Sequence, residues 1–376
     1  MSEQAVDREE LRAWVALRLV KGVGPVVYQG LLRAFSTPAR VFAASAHALE
    51  CAGVRPEVAR AIRRFSDWSS ADKQILAAER AGVRILTCGA PAYPRNLKEI
   101  HDPPPLLFVS GALVEQDQIA VAVVGSRRAS AYGLRMAREI TAGLVRCGVT
   151  VVSGLARGTD AQAHWSALRG GGRTIAVLGS GIDVVYPSEH KALAQKISTN
   201  GAVVTELPMG TQPDAENFPA RNRIISGVSL GTLVIEAAEK SGSLITARLA
   251  LEQGRDVFAL PGMVGESTRG THSLLRDGAK LTERAEDIVE ELAPHLLQFA
   301  KRVAPVAVTA PEGRLIELLR TGPVHIDVLI ERSGMPTAAV LESLLALELK
   351  GAIEQLPGKH FVAAAVDVDS FAAKDE

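Results

Sequence analysis

Between residues 119 and 292 the chain alternates short, unbroken apolar runs with stretches of helical periodicity. The apolar runs cover 119–124, 149–152, 174–178, 202–205, 232–237 and 256–260. Strands buried on both faces of a parallel sheet need runs of this kind, without the in-out alternation of a half-exposed sheet. Between them, segments such as 134–145 and 244–252 place their apolar residues on one helical face. Regular strand–helix alternation predicts an α/β fold, an extended Rossmann-like, doubly wound and mostly parallel sheet spanning 81–292. Ligands of such sheets sit outside the carboxyl ends of the strands, so the loops that follow the apolar runs are where chemistry is expected.

The flanking segments read differently. Residues 1–80 are predicted to form a helical domain, with helices near 9–66. Two segments repeat there, Gly22-Val23-Gly24-Pro25 and Gly53-Val54-Arg55-Pro56, each a glycine turn followed by a proline at a helix start, where its missing N–H does no harm. This resembles a SAM-like or helix-hairpin-helix module, whose turns either offer amides to a DNA phosphate or simply close helix hairpins. Strand-like runs at 83–87 and 106–109 precede the main alternation, separated by the helix breakers Tyr93-Pro94 and Pro103-Pro104-Pro105. Residues 293–311, with Pro294, Pro305 and Pro311, read as a linker. Residues 312–364 predict three helices (314–319, 326–331 and 337–350) and a hairpin over 352–362, the layout of a winged helix. Its third helix has no basic residue before Lys350, whereas a major-groove reader needs Arg, Lys, Asn or Gln near the helix start. An interaction or regulatory module is expected instead. The tail, 365–376, is acidic.

Charge narrows the function classes. Forty-two basic and 42 acidic residues cancel, which argues against broad polycation binding but leaves room for a local basic cleft. Cys51, Cys88 and Cys147 match no disulfide or zinc spacing, so reduced thiols in a cytoplasmic protein are expected. Neither a signal peptide nor an apolar run of membrane-spanning length is read from the sequence. His101, His164, His190 and His272 lie in separate segments, and no metal or cofactor is expected.

The loops carry the candidate residues. The first strand ends in Gly125-Ser126-Arg127, where glycine permits close approach, serine offers a hydroxyl and arginine offers a planar fork to phosphate. The second ends in Gly154-Leu155-Ala156-Arg157-Gly158-Thr159-Asp160. Thr159 or Asp160 is expected to cap the next helix and Arg157 to reinforce an anion site at its start. Gly179 opens the small-residue turn after the third strand. Phe218 stands beside Arg221, Asn222 and Arg223 in a chain with only 4% aromatic residues. It is either a stacking surface, worth about 1–3 kcal/mol per base, or a staple packed under its helix. Arg221 and Arg223 diverge on a helix, so one is expected to face ligand and the other an acid such as Glu236. Ser241-Gly242-Ser243 starts a helix whose amides and hydroxyls suit a phosphate, with Ser243 the alternative N-cap. These residues form no catalytic constellation.

Five ordered blocks make the chain resemble the DNA-processing protein A (DprA/Smf) family. They are Val124-Gly125-Ser126-Arg127, the loop from Ser153 through Gly158, the segment from Phe218 through Gly227, Ser241-Gly242-Ser243-Leu244-Ile245-Thr246-Ala247, and Glu252-Gln253-Gly254-Arg255. Thr159 departs from the aliphatic residue expected there. The resemblance implies a cytosolic, non-catalytic binder of single-stranded DNA in natural transformation and recombination. It also implies help in loading the RecA recombinase onto strands coated by single-strand-binding protein, and a homodimer through the Rossmann-like core. By matching position, Arg127, Phe218 and the Arg221-Asn222-Arg223 block would contact DNA. The rival is a nucleotide phosphoribohydrolase of the lysine-decarboxylase-like (LOG) type. Gly231-Thr232 with Glu236 is similar to that family's loop, but the preceding glycine pair is absent and these residues begin an apolar strand.

Overall fold

A computed structural model describes residues 7–299, 308–319, 322–350, 352–356 and 358–363. They fall into two compact units, divided between residues 299 and 300.

The first unit is built on a nine-stranded sheet: β1 (Arg84–Thr87), β2 (Leu106–Gly111), β3 (Ala120–Val124), β4 (Thr150–Ser153), β5 (Thr174–Val177), β6 (Ala202–Thr205), β7 (Gly231–Val234), β8 (Asp256–Ala259) and β9 (Lys280–Leu281). Their order is β1-β2-β6-β5-β4-β3-β7-β8-β9. All neighbours from β6 through β9 are parallel, and β1 and β2 add an antiparallel edge. The doubly wound, mostly parallel sheet expected from the apolar runs is therefore present. The 232–237 run supplies a shorter strand than its apolarity implied. Ile235 still bonds Val124 O through its amide, and the chain then leaves the ladder to line the sheet's edge. The two-residue β9 was not read from the sequence, because so short a segment shows no period.

The topology fixes where a ligand fits. The chain moves outward from β3 through β4, β5 and β6, then crosses back to lay β7 on the other side of β3. Connections at that reversal run in opposite directions and leave a crevice at the carboxyl ends of β3 and β7.

The N-terminal helices share their apolar core with the sheet: Trp14, Leu17, Leu31 and Ile62 belong to the same cluster as Leu97, Val109, Ile224 and Val234. Pro25 and Pro56 each take the first turn of a helix, Pro25–Phe35 and Pro56–Arg63. The glycines ahead of them, Gly22 and Gly53, have φ of +88° and +84°, the left-handed region that a side chain would disfavour.

The second unit holds helices Ala310–Leu319, Ile326–Ser333 and Thr337–Leu349 with strands β10 (Val324–His325), β11 (Ile353–Leu356) and β12 (His360–Ala363). The strands run in the order β10-β12-β11. This is the expected winged helix, with one strand more: β10 pairs with β12 immediately after what was read as a plain turn. Leu315, Leu329, Val340 and Leu344 fill its core. Residues 300–307 of the expected linker and the acidic tail lie outside the described residues. Among the described residues no helix is long and apolar enough to cross a membrane.

One buried group makes stability depend on pH. His164, in the Thr159–Arg169 helix, is fully buried with Nδ1 2.7 Å from Thr174 Oγ1. Burial, with smaller contributions from His190 and Arg221, pushes its pKa down to about 3. The unfolded chain takes up this proton near pH ~6.5, so the stability gained by keeping the ring neutral is complete above that pH. It is lost as pH falls toward 3, at no more than ~1.4 kcal/mol per pH unit. Urea unfolding between neutral and mildly acidic pH should therefore show a steeper loss of stability for the native chain than for His164→Gln. Equal slopes would contradict a neutral buried imidazole.

Candidate functional site

The crevice at the sheet's carboxyl edge is a cleft of about 840 Å³. Three segments frame it: Gly125 to Arg128 after β3, Ala238 to Ser243 after β7, and the helix Asn217–Val228 that crosses back between β6 and β7. Among the described residues, Arg127, Arg128, Arg221 and Lys240 line it against a single carboxylate, Asp160. A chain of zero net charge thus concentrates positive charge where its topology opens.

Phe218 is the centre of this cluster. Its partly buried ring lies 5.7 Å from Arg127 Cζ and 5.9 Å from Arg221 Cζ, both within cation–π range. Tyr186 tilts against it with centroids 5.7 Å apart, and is 46% exposed. The ring rests on Gly179, where a Cβ would stand 2.8 Å from Phe218 Cδ1. Gly179 is thus a buried seat for the ring. Tyr186 was not singled out from the sequence, since it belongs to no strand-end motif. Its signal was the scarcity of aromatic residues combined with its place in the loop beyond β5.

Arg221 is 6% exposed, yet its guanidinium is well supplied with acceptors. It donates to Gly154 O at 2.7 Å, to Val177 O, and through Nε to Asn222 Oδ1 at 3.2 Å. Burial lowers its pKa to about 10; Asp160 opposes the shift and Arg127 adds to it. It remains a cation at neutral pH. Gly154 permits this approach, because a Cβ there would lie 2.7 Å from Arg221 Nη1.

Asp160 and Thr159 are not the helix caps expected of them. Gly158 holds the N-cap position, and both residues lie inside the helix. The Asp160 carboxylate reaches back to accept the amides of Gly154 (3.1 Å) and Ala156 (3.3 Å), fixing the loop beneath Arg221. Burial raises its pKa; Arg221 and those amides oppose the rise. Thr159 Oγ1 donates to Ser126 O at 3.3 Å, tying this loop to the one after β3.

Arg223 turns away from the cleft. It pairs with Asp102 at 3.0 Å and Glu206 at 2.7 Å, and both it and Glu206 are buried. The acid expected to take it, Glu236, instead accepts the Ser130 amide at 2.8 Å, at the start of the Ala131–Arg146 helix. The divergence of the two arginines was legible in their spacing; the partner was not, because Asp102 and Glu206 are distant in sequence. Asn222 lines the cleft and donates to Gly242 O at 3.4 Å. Ser241, not Ser243, caps the Gly242–Glu252 helix, accepting the Ser243 amide. Arg157 is exposed and bidentate to Glu189, both contacts 2.8 Å, beside the small pocket that Arg127 and Phe218 also line. Ser126 Oγ accepts the Arg128 amide at 3.1 Å, and Gly125 packs against Thr159. Of the sequence candidates, then, Gly125, Ser126, Arg127, Phe218, Arg221, Asn222, Ser241, Gly242 and Ser243 line one cleft. Among the described residues no three His, Cys, Asp or Glu side chains converge to hold a metal.

Comparison with known proteins agrees with this arrangement. The sequence profile of the family described as DNA recombination-mediator protein A matches residues 84–293, and that of the DprA winged helix domain matches 300–359. Protein Smf of Escherichia coli (strain K12) is 41% identical over 314 residues, covering 80% of this chain and 83% of its own. Protein Smf of Synechocystis sp. is 34% identical over 387 residues, covering 93% and 97%. The X-ray structure of DNA processing protein A from Streptococcus pneumoniae superposes with a TM-score of 0.67 at 35% identity, over 75% of this chain and 98% of that one.

The two arginine environments should separate in stability measurements. Arg223→Ala leaves the buried Glu206 carboxylate short of its partner and should cost about 3–5 kcal/mol in urea unfolding. Arg127→Ala, at an exposed position, should stay within about 0.5 kcal/mol. Unchanged unfolding of Arg223→Ala would contradict a buried structural ion pair.

Proposed function

Because the chain belongs to the DNA recombination-mediator protein A (DprA/Smf) family, we propose that it is a single-stranded DNA-binding protein of natural transformation and homologous recombination. The observation that carries this reading is the Phe218 ring at the rim of a cationic cleft, within cation–π range of two guanidiniums. A base stacks on Phe218, an interaction every base can make. Arg127, at an exposed position, meets the phosphate, while Arg221 offers a charge already fixed by its carbonyl acceptors. Lys240, Arg128 and the Ser241-Gly242-Ser243 turn extend the phosphate path across the strand ends. Interactions of this kind position a backbone and carry little sequence information.

In this reading the strand is held and not cut. Among the described residues no His or Cys lines the cleft, and both Asp160 amide bonds are structural. Glu236, the acid a LOG-type hydrolase reading would enlist, is engaged with the Ser130 amide. The protein then shields incoming strands in the cytoplasm and helps place RecA on DNA coated by single-strand-binding protein, acting as a homodimer through the Rossmann-like core. The winged helix serves as an interaction module: Leu341, Leu345 and Leu349 are exposed along its third helix, and no Arg or Lys lies within that helix.

Fluorescence anisotropy with labelled oligo-dT tests the cleft. The double variant Phe218→Ala, Arg127→Ala should bind about tenfold or more weakly, the order expected from removing one stacking ring and one phosphate-binding cation. Affinity of the native chain should fall with salt at a log–log slope of about −0.7 per phosphate neutralised. If the double variant binds oligo-dT as the native chain does, this site is not the binding site. Ending the chain after residue 299 should leave oligo-dT affinity within about twofold, below the effect of removing one stacked base. A larger drop would place the strand partly on the winged helix.

A further inference from the structure

The paired glycine hairpins of the N-terminal helices have no role in the cleft, and they carry a lopsided charge of their own. Residues 20–64 contain seven Lys or Arg and two acids, Glu50 and Glu57, a net +5 in a chain whose total is zero. Lys21, Arg33, Arg40, Arg55, Arg60, Arg63 and Arg64 are all exposed. The helix Pro56–Arg63 buries Val58, Ala59 and Ile62, which turns Arg60, Arg63 and Arg64 together toward solvent. Arg63 is held outward by a 2.8 Å bond from Nη1 to Phe42 O. Arg60 is steadied by Pro56 O at 3.3 Å and lies 4.0 Å from Glu57.

The two hairpins also meet. A Cβ on Gly22 would stand 2.8 Å from Val58 Cγ2, so the first glycine turn lies directly against the helix that the second turn begins. Val23 and Val54, at matching places in the two turns, are both buried. The result is two like turns side by side, with an arginine-rich face on the second.

We propose that this paired-hairpin face is a second nucleic-acid site, separate from the cleft, and that its ligand is the sugar-phosphate backbone of duplex DNA. Arginines and turn amides are phosphate-binding groups, and an arginine fork suits phosphate bidentately. The choice of duplex over single strand follows from what the face lacks. Of its Phe, Tyr and Trp residues, Tyr28 is buried, Phe35 and Phe42 pack against the apolar core, and Phe42 also lies against the rings of Phe65 and Trp68, so none of these rings stands free for an unstacked base. A ligand whose bases are already paired and stacked requires none. With single strand in the cleft and duplex on this face, one molecule would hold both arms of a single-strand–duplex junction, an arrangement that rests on the cleft reading above.

Anisotropy titrations of the full-length protein against a blunt-ended duplex and against oligo-dT test this. The triple variant Arg55→Gln, Arg60→Gln, Arg64→Gln changes only exposed side chains, and an unaltered thermal melt would show that it folds. It should bind the duplex about tenfold or more weakly, with the salt slope reduced by about 0.9 for each phosphate no longer neutralised, while oligo-dT affinity stays within about twofold. The cleft variant Phe218→Ala, Arg127→Ala should do the reverse. The proposal is overturned if the native chain shows no duplex binding at about 50 mM salt, if the triple variant binds duplex as the native chain does, or if the cleft variant weakens duplex binding equally. Oligo-dT binding indifferent to the cleft variant would instead count against the cleft reading and leave this one standing.

Discussion

A cation buried at the end of a parallel sheet is the constraint on which the cleft depends. Removing a guanidinium from water is costly unless its donors are met. Arg221 meets them with the carbonyls of Gly154 and Val177, groups freed where β4 and β5 end, and with the side chain of Asn222. Asp160 answers the charge while its Oδ2 accepts two amides that fix the same loop. The strand ends thus supply the acceptors, the arginine closes them, and its guanidinium comes within cation–π range of Phe218.

Close approach makes that stack feasible. Two positions without a Cβ, Gly154 and Gly179, admit the guanidinium and the ring respectively. Arg127 then comes within cation–π range of the ring from the loop after β3, a loop pinned by the Thr159 hydroxyl. Arg127, Gly154 and Gly179 come from three different strand ends, and they meet Phe218 and Arg221 of the crossing helix because the chain reverses its direction of winding at β3. Fold and site are therefore one problem: the reversal opens the cleft, and the residues that stabilise its walls also give it charge.

Much of this was legible before any coordinates. Unbroken apolar runs located the parallel strands, because burial on both faces leaves no room for polar alternation. The doubled glycine turn located the hairpins, since φ near +85° at Gly22 and Gly53 demands glycine. Phe218 and Arg221 stood out by residue type in a chain poor in aromatics. What escaped was set by long-range contact. Nothing local to Arg223 points to Asp102 or Glu206, and nothing local to Asp160 shows its carboxylate turning back on its own loop. Gly154 and Gly179 read as ligand contacts because a small residue at a strand end looks the same whether a ligand or a neighbouring side chain fills the space. Tyr186 escaped for the opposite reason, being a functional type in a loop without a motif.

Photocrosslinking tests the central claim most directly. An oligonucleotide carrying 5-iododeoxyuridine, bound to the full-length protein and irradiated, marks the aromatic residue against which a base stacks. The account predicts adducts on Phe218, with Tyr186 as the neighbouring acceptor. Adducts confined to aromatic residues outside the cleft, with none on either ring, would contradict it.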